Sequence, residues 1–237
     1  MSSSTLFLIP SLLGNDDAGQ IPESTKTEVQ KLKYFIVENS KEARKFLKII
    51  FPQMIQQEIA VIEFDKHDKN PDWKTFLSPL EAGNDAGLIS DCGCPAVADP
   101  GSGLIAAAHR EGIKIKPLIG PSSILLALMA SGFNGQSFIF HGYLPVEKKL
   151  LVKKLKQMEQ ESQKLNQTQI FMETPYRNLS LLNSLLSTLN SQTYLSISCN
   201  LTCDDEWIKT LPVSKWKNLG EIPILKKPCI FLIYSIH

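Results

Sequence analysis

The sequence predicts a two-domain α/β protein whose N-terminal half is built on a parallel sheet. Short β-branched and aromatic runs alternate with amphipathic helical patterns in the first half, as in successive βαβ units. Near Leu144-Pro145 this alternation gives way to a long lysine-rich helical pattern, and the chain ends on two apparent strands with no helical pattern between them. We therefore expect an α/β N-terminal domain over residues 1–143 and an α+β C-terminal domain with a mixed sheet over residues 144–237.

Hydrophobic periodicity places the individual elements. The strands expected in the first domain are Leu6–Ile9, Tyr34–Val37, Gly87–Ser90, Ile113–Leu118 and Ser137–His141. The helices expected there are Lys41–Ile50 with Ser40 as N-cap, Leu104–Glu111 closed by Gly112, and Ser122–Ser131, whose apolar circumference predicts a buried helix. The second domain should contain helix Val146–Leu165, strand Thr168–Met172, a leucine-rich helix over Leu179–Leu189, and strands Tyr194–Asn200, Trp207–Val213 and Cys229–Ile236.

Composition and charge argue against a membrane protein and against a dedicated nucleic-acid-binding surface. Hydrophobic residues make up 43% of the 237 residues and charged residues 21%, which is ordinary for a globular protein. No apolar run is long enough to cross a bilayer and the N-terminus lacks a basic signal region, so we expect a cytoplasmic protein. The net charge is only +1 and the chain has three arginines, fewer than a dedicated nucleic-acid surface usually carries. The lysines of the long helix form either a solvated face or a substrate-steering face.

Cysteine and histidine spacing does not indicate a metal centre. Two of the five cysteines are Cys92 and Cys94, two others are Cys199 and Cys203, and the four histidines are scattered. Zinc sites usually show tighter, paired spacing with histidine partners. We therefore expect reduced structural thiols and no metal.

The segment Ser90–Gly101 carries most of the chemical information. It follows an apolar strand and reads Ser-Asp-Cys-Gly-Cys-Pro-Ala-Val-Ala-Asp-Pro-Gly. Ligands of open α/β sheets bind at the carboxyl ends of strands, and Gly93 and Gly101 permit positive φ or close backbone approach. A ligand loop and a tight turn in which Asp99 caps the next helix both fit. A nucleotide phosphate loop does not, because G-x-x-x-x-G-K-[ST] is missing.

A second loop, Gly120-Pro121-Ser122-Ser123, repeats the arrangement of strand, turn and helix start. Free amides and the positive dipole end of a helix N-terminus suit a carboxylate ligand, although Ser122 is also simply a good N-cap. Two such loops in adjacent βα units would line one crevice, which favours a ligand site over two unrelated turns.

These loops, in this order, resemble the tetrapyrrole methylase superfamily, and within it the branch that methylates a ribose 2′-hydroxyl of small-subunit ribosomal RNA. That branch shows S-D-x-G-x-P-x-x-x-D-P-G followed by P-G-P-S-A. Further similar segments are Leu13-Gly14-Asn15 (P-I-G-N), Glu38-Asn39-Ser40 (E-D-T), His67-Asp68 (H-N), Phe140–Pro145 (E-G-F-L-P) and Phe171–Arg177 (Y-E-S-x-x-R). The chain departs from the pattern at Asn39, at Leu12, and at Cys199–Cys203, where the branch has the charged R-E-L-T-K.

The resemblance implies a homodimeric methyltransferase that binds S-adenosylmethionine in a cleft between its two domains. The residues that it assigns to the cofactor are Asp91, Gly93, Cys94, Pro95, Ala98, Ser122, Ser123, Met172 and Glu173. Those that it assigns to the acceptor side are Glu38 and Asp99 as catalytic carboxylates and Asn39, Asp68 and Arg177 as substrate contacts.

A ribose hydroxyl is a weak nucleophile and needs a general base, for which the sequence offers Glu38, Asp91, Asp99, Glu173 and His67. Three alternatives stay open from sequence. They are a methyltransferase for a tetrapyrrole or other metabolite, a non-catalytic relative that binds the cofactor, and a nicotinamide enzyme, which the absent Gly-x-Gly-x-x-Gly disfavours.

Overall fold

The computed structural model describes residues 4–65 and 71–235. The chain divides into two compact units, Met1–Ser122 and Ser123–His237. The sequence predicts the boundary later, between residues 143 and 144. The units divide earlier because the helix over Ser123–Ser131 packs on the second sheet and the strand over Phe138–Tyr143 belongs to that sheet.

The first unit is built on a five-stranded parallel sheet, which confirms the predicted α/β class. Its strand order is β3-β2-β4-β1-β5, and every neighbouring pair is parallel. The central strand β4 is buried at all four positions, as expected for a strand covered on both faces. The strands are β1 (Thr5–Ile9), β2 (Tyr34–Val37), β3 (Ala60–Glu63), β4 (Ala86–Ile89) and β5 (Lys114–Pro117).

The helices of this unit are α1 (Glu23–Val29), α2 (Ser40–Ile50), α3 (Ser78–Glu81) and α4 (Ser102–Arg110), with 3-10 turns at Ala18–Gln20, Gln56–Glu58 and Thr75–Leu77. Helix α2 buries the predicted apolar stripe, but the prediction of Ser40 as its N-cap was wrong. Asn39 has the extended backbone of a cap, and its side-chain oxygen accepts from the amides of Lys41 (3.0 Å) and Glu42 (3.3 Å).

The second unit contains a mixed sheet of order β6-β7-β10-β8-β9, in which only β6 and β7 are parallel. Helices α6 and α7 cover one face, where Phe171 and Phe231 stack, and α5 covers the other. The strands are β6 (Phe138–Tyr143), β7 (Thr168–Glu173), β8 (Tyr194–Cys199), β9 (Trp207–Pro212) and β10 (Cys229–Tyr234). The helices are α5 (Ser123–Ser131), α6 (Lys148–Leu165), α7 (Asn178–Thr188) and α8 (Val213–Trp216).

Helix α5 forms where the sequence predicts it but is not buried all round. Ala127 and Leu128 pack against Ile170, Ile230 and Leu232 of the sheet. The opposite side leaves Leu125 51% exposed and Met129 77% exposed. The helix lies flat on one sheet face, and within the described part of this single chain nothing covers its outer side. No helix in that part of the chain is both long and apolar enough to cross a membrane.

Candidate functional site

A buried hydroxyl closes the loop that follows β4. Ser90 directly succeeds the strand and is almost fully buried, and its hydroxyl donates a hydrogen bond to the carboxylate of Asp99. The same oxygen lies 3.3 Å from the Cys92 carbonyl. Asp99 does not cap α4, because the N-cap position is occupied by Gly101. The hydrogen bond from Ser90 therefore joins the two ends of the loop and holds Asp99 in place. The half-buried carboxylate of Asp99 lies at the carboxyl end of the sheet.

The backbone of this loop is strained. Gly93 (φ 74°) and Gly101 (φ 115°) have the positive φ predicted for them, and Ala96 (φ 62°) and Ala98 (φ 60°) share it. A left-handed alanine costs about 1–2 kcal/mol, since its Cβ crowds the following carbonyl oxygen. Strain of this kind collects at functional sites, where the surroundings fix an otherwise unfavourable conformation.

The first strand supplies a residue that sequence reasoning missed. Ser11, at the carboxyl end of β1, donates its backbone N–H to the carbonyl of Gly93 (2.9 Å), so the loops after β1 and β4 are joined. Its side chain is buried, and its hydroxyl has no hydrogen-bond partner among the described residues. A buried, unpaired hydroxyl beside a strained loop is typical of a ligand contact. The available signal was a serine placed two residues after the expected strand Leu6–Ile9 and two residues before Leu13-Gly14-Asn15.

The second predicted loop meets the first. The Cys94 thiol donates to the Pro121 carbonyl (3.4 Å), and the Ser122 hydroxyl also bonds this thiol. Partial burial raises the pKa of Cys94, so the thiol is neutral near pH 7, and the Ser122 bond opposes that shift. The two loops are therefore in contact at the carboxyl ends of β4 and β5, and the ligand crevice that they were expected to line stays a prediction.

Glycine at position 120 allows this approach. A Cβ built on Gly120 would lie 2.4 Å from Pro10 Cβ, so the loops after β1 and β5 are in van der Waals contact there. The hydroxyl of Thr25 donates to the Ile119 carbonyl (2.7 Å) and fixes the second loop against α1. Three strand ends, those of β1, β4 and β5, therefore contribute to one connected set of loops.

The carboxylates proposed for the acceptor side begin at the end of β2. Glu38 follows this strand directly and is 8% exposed. Glu63, at the end of β3, accepts the Ser40 amide (2.9 Å), and hydrogen bonds from the Ser40 hydroxyl and amide lower the pKa of Glu63. The side-chain oxygen of Asn39 already accepts hydrogen bonds as the N-cap of α2. The substrate contact expected of Asn39 stays a prediction. His67 and Asp68 lie outside the described residues.

The residues assigned to the second unit lie at the end of β7. Glu173 is 6% exposed and forms an ion pair with Arg177 (Oε2 to Nη2, 3.1 Å), while its other oxygen accepts the Thr174 amide (2.7 Å). Glu173 is thus committed to structural bonds and is a poor general base. The neighbouring Met172 is half-buried among the apolar residues that pack under α5.

The segment Cys199–Cys203 begins at the last residue of β8 and continues into a turn. Asn200 (φ 47°) and Thr202 (φ 72°) adopt left-handed conformations, and Asn200 donates to both carboxylate oxygens of Asp205 (2.9 and 3.0 Å). Lys227 pairs with the same carboxylate (2.8 Å). No group of three or more His, Cys, Asp or Glu side chains in residues 4–65 and 71–235 could hold a metal ion.

No family model matches the chain. Its sequence is similar to proteins named ribosomal RNA small subunit methyltransferase I. The one from Vibrio cholerae is 29% identical over 212 residues, which are 89% of this chain and 69% of that protein. The one from Pseudomonas aeruginosa is 27% identical over 91% of this chain and 72% of its own length. The one from Pasteurella multocida is 34% identical over 72% of this chain and 60% of its own length.

Solved structures show the fold independently. The methyltransferase CobJ superposes with a TM-score of 0.65 at 14% identity, covering 99% of this chain and 95% of that one. Cobalt precorrin-4 methyltransferase gives a TM-score of 0.61 at 14% identity, covering 97% and 94%.

The chain has the fold of the tetrapyrrole methyltransferases. It is a methyltransferase, as the loops after β4 and β5 predict, and its sequence relatives are named small-subunit ribosomal RNA methyltransferases.

Proposed function

We propose that this chain transfers a methyl group from S-adenosylmethionine to a ribose 2′-hydroxyl of small-subunit ribosomal RNA. The observation that carries the proposal is the contact between the loops Ser90–Gly101 and Gly120–Ser123 through Cys94 and Pro121, which assembles the superfamily's two signature segments. The relatives named for small-subunit ribosomal RNA supply the substrate class. A ribosomal substrate also favours a cytoplasmic location.

The residues of these loops suit the donor. Ser11 offers a buried hydroxyl without a partner, Cys94 a neutral thiol, and Ser122 a hydroxyl, so the loops present polar groups without a charge that would repel a sulfonium. We assign Asp91, Gly93, Pro95, Ala98 and Ser123 to the same donor site, and Met172 and Glu173 to its adenosyl part, on the resemblance. The donor supplies an activated methyl group. The protein's task is to orient the acceptor and to exclude water.

Asp99 is the carboxylate that we propose as general base. Its half-buried side chain is positioned by the Ser90 hydroxyl and has no ion pair among the described residues. Glu173 is held by Arg177, and Asp91 is exposed to solvent. Glu38, buried at the neighbouring strand end, is the second catalytic carboxylate of the proposal and orients the ribose. Asn39, Asp68 and Arg177 complete the proposed substrate contacts.

The substrate is tested by transfer of tritium-labelled methyl groups to small ribosomal subunits from a strain lacking this gene. We expect the label to enter the small-subunit RNA at one ribose and primer extension to map it to a site that is unmethylated in that strain. An RNA without label and an unchanged methylation pattern would overturn the ribosomal proposal. Label in the low-molecular-weight fraction of a cell extract would instead indicate a metabolite as acceptor.

We also propose that the chain forms a homodimer through the outer side of α5 and the edge strand β6. Five large apolar side chains are exposed there: Leu125 (51%), Met129 (77%), Phe138 (42%), Ile139 (38%) and Tyr143 (57%). Apolar exposure of this kind marks interaction surfaces. A second copy of the chain would cover it with an identical face, as in most two-fold symmetric dimers.

The double substitution Leu125→Lys with Met129→Lys is expected to dissociate this dimer. Each apolar side chain buried at an interface contributes about 1.5–3 kcal/mol, so the dimer dissociation constant should rise at least about a hundredfold. Light scattering measures the mass. Ile55→Lys changes a 54% exposed residue of the first unit and is the control. A wild-type monomer, or a double variant that stays dimeric, would contradict the proposed interface.

A further inference from the structure

We propose that the solvent-facing side of α6 binds the phosphate backbone of an RNA. This inference rests on the proposed function, because it names a surface outside the donor loops that holds the ribosomal substrate. The surface consists of Lys149, Lys153 and Lys156, called the lysine ridge below.

Helix geometry places the three lysines together. They follow a spacing of i, i+4 and i+7, which lies on one side of an α-helix. The buried side of α6 carries Leu151, Leu155, Met158 and Ser162. At 100° per residue the ridge points away from that buried side, and all three lysines are exposed. Lys149 and Lys156 are seven residues apart, so the ridge is about 10 Å long at 1.5 Å per residue. It can therefore contact more than one phosphate of an RNA strand.

The ridge is unfavourable for the helix itself. The N-terminus of a helix carries a partial positive charge, and a cation there is destabilising by up to about 1 kcal/mol. Lys148 and Lys149 nevertheless occupy the first turn of α6, which has no acidic residue. Lys149 and Lys153 are like charges four residues apart, which also destabilises a helix. Among the described residues, none of the ridge lysines forms an ion pair. The ridge lysines thus lower the stability of the helix and have no ion-pair partner among the described residues. This is expected of charges that bind a ligand.

A groove of mixed polarity adjoins the same end of α6. It has a volume of about 470 Å³, and its polar lining includes Lys148, Arg177 and the serines Ser180, Ser184 and Ser187, while Val146, Leu151 and Leu181 form its apolar part. Cationic and hydroxyl groups of these types contact phosphate oxygens. The ring of Tyr176, next to Arg177, is 79% exposed and offers a face on which a base can stack.

The chemistry favours RNA over an anionic membrane. A helix that binds a membrane surface inserts a free apolar face into the lipid. The apolar stripe of α6 is already buried in the core of the second unit. The ridge is flanked by the exposed Gln157 and Gln160, and the exposed apolar residues beside it are Val146 and Leu150. Two apolar side chains at one end of the ridge form too small a surface to insert into a lipid layer.

The test compares two triple variants by fluorescence anisotropy with a labelled fragment of small-subunit RNA. The first is Lys149→Gln, Lys153→Gln and Lys156→Gln. The second, a matched control, is Lys209→Gln, Lys215→Gln and Lys217→Gln, which removes three exposed lysines from the same unit. We expect the ridge variant to bind RNA at least about tenfold more weakly. The negative slope of log K against log salt should become shallower by about 2, because about three phosphate contacts are lost. The control should match the wild type, and both variants should bind S-adenosylmethionine normally.

The other outcomes show whether the RNA site, the proposed function or both are wrong. A wild type that does not bind RNA, or two variants that lose affinity equally, would overturn the ridge as an RNA site. A ridge variant whose loss is seen only with phosphatidylserine vesicles would assign the ridge to lipid and overturn the inference. If the wild type methylates ribosomal RNA and the ridge variant binds it unchanged, the inference fails while the proposed function stands. If RNA binding follows the ridge but no methyl transfer occurs, the proposed reaction fails and the ridge remains.

Discussion

Replacing Asp99 with Asn is expected to slow methyl transfer by a factor of about 10²–10⁴, the usual contribution of a general base. The amide is isosteric with the carboxylate and can still accept the Ser90 hydrogen bond, so the loop should keep its shape. Donor affinity and the melting temperature should therefore change little. Single-turnover kinetics with labelled donor measures the effect, and calorimetry measures donor affinity. Unchanged binding together with unchanged turnover would reduce Asp99 to a residue of the turn.

Ser90→Ala is the companion variant, because Ser90 acts through Asp99. We expect a loss of about tenfold in kcat with little change in KM, because the carboxylate loses the hydroxyl that orients it. A purely structural role for Ser90 would lower stability without this selective loss in kcat. Asp204→Asn changes an exposed aspartate of the second unit and should leave kcat, KM and the melting temperature unchanged.

Gly120→Ala is expected to have the largest effect on donor binding. The added Cβ would lie 2.4 Å from Cβ and 2.8 Å from Cγ of Pro10. The proline ring cannot rotate away, so one of the two loops must move, at a cost of about 1–3 kcal/mol. Because Ser11 and Pro121 adjoin the two contacting residues, the displacement spreads to Gly93 and Cys94. We expect the donor dissociation constant to rise at least about tenfold and the melting temperature to fall.

Gly135→Ala serves as the matched control, because a Cβ at Gly135 would meet nothing within 4 Å. Its donor affinity should equal that of the wild type. If Gly120→Ala lowers the melting temperature but leaves the donor dissociation constant unchanged, the loops after β1 and β5 do not form the donor site.

Local patterns in the sequence were sufficient to predict most of the fold. Strand β2 follows from a short β-branched and aromatic run, and helix α2 follows from a clear apolar stripe, since both are buried against the core. Strand β3 was missed because its four residues show neither buried alternation nor flanking turn signals. Burial of α5 was overestimated, since an apolar circumference does not reveal whether the outer side meets this chain or a partner.

The sequence was sufficient to predict those features of the site that depend on the backbone conformation of single residues. It was not sufficient to predict contacts between residues far apart in the chain. The positive φ of Gly93 and Gly101 could be predicted because glycine is the residue that adopts it without strain. Ala96 and Ala98 carry no such signal, and tertiary contacts impose their conformation. The Ser11–Gly93 and Ser90–Asp99 bonds depend on strand order and loop closure, which sequence spacing alone does not determine.

The most direct test of the central claim is isothermal titration calorimetry of the purified chain with S-adenosylmethionine and with its demethylated product, S-adenosylhomocysteine. If the loops Ser90–Gly101 and Gly120–Ser123 form a methyl-donor site, both compounds bind with a stoichiometry of one per chain, and Gly120→Ala weakens both while Gly135→Ala weakens neither. If circular dichroism shows the chain to be folded but neither compound produces binding heat, the loops do not form a methyl-donor site.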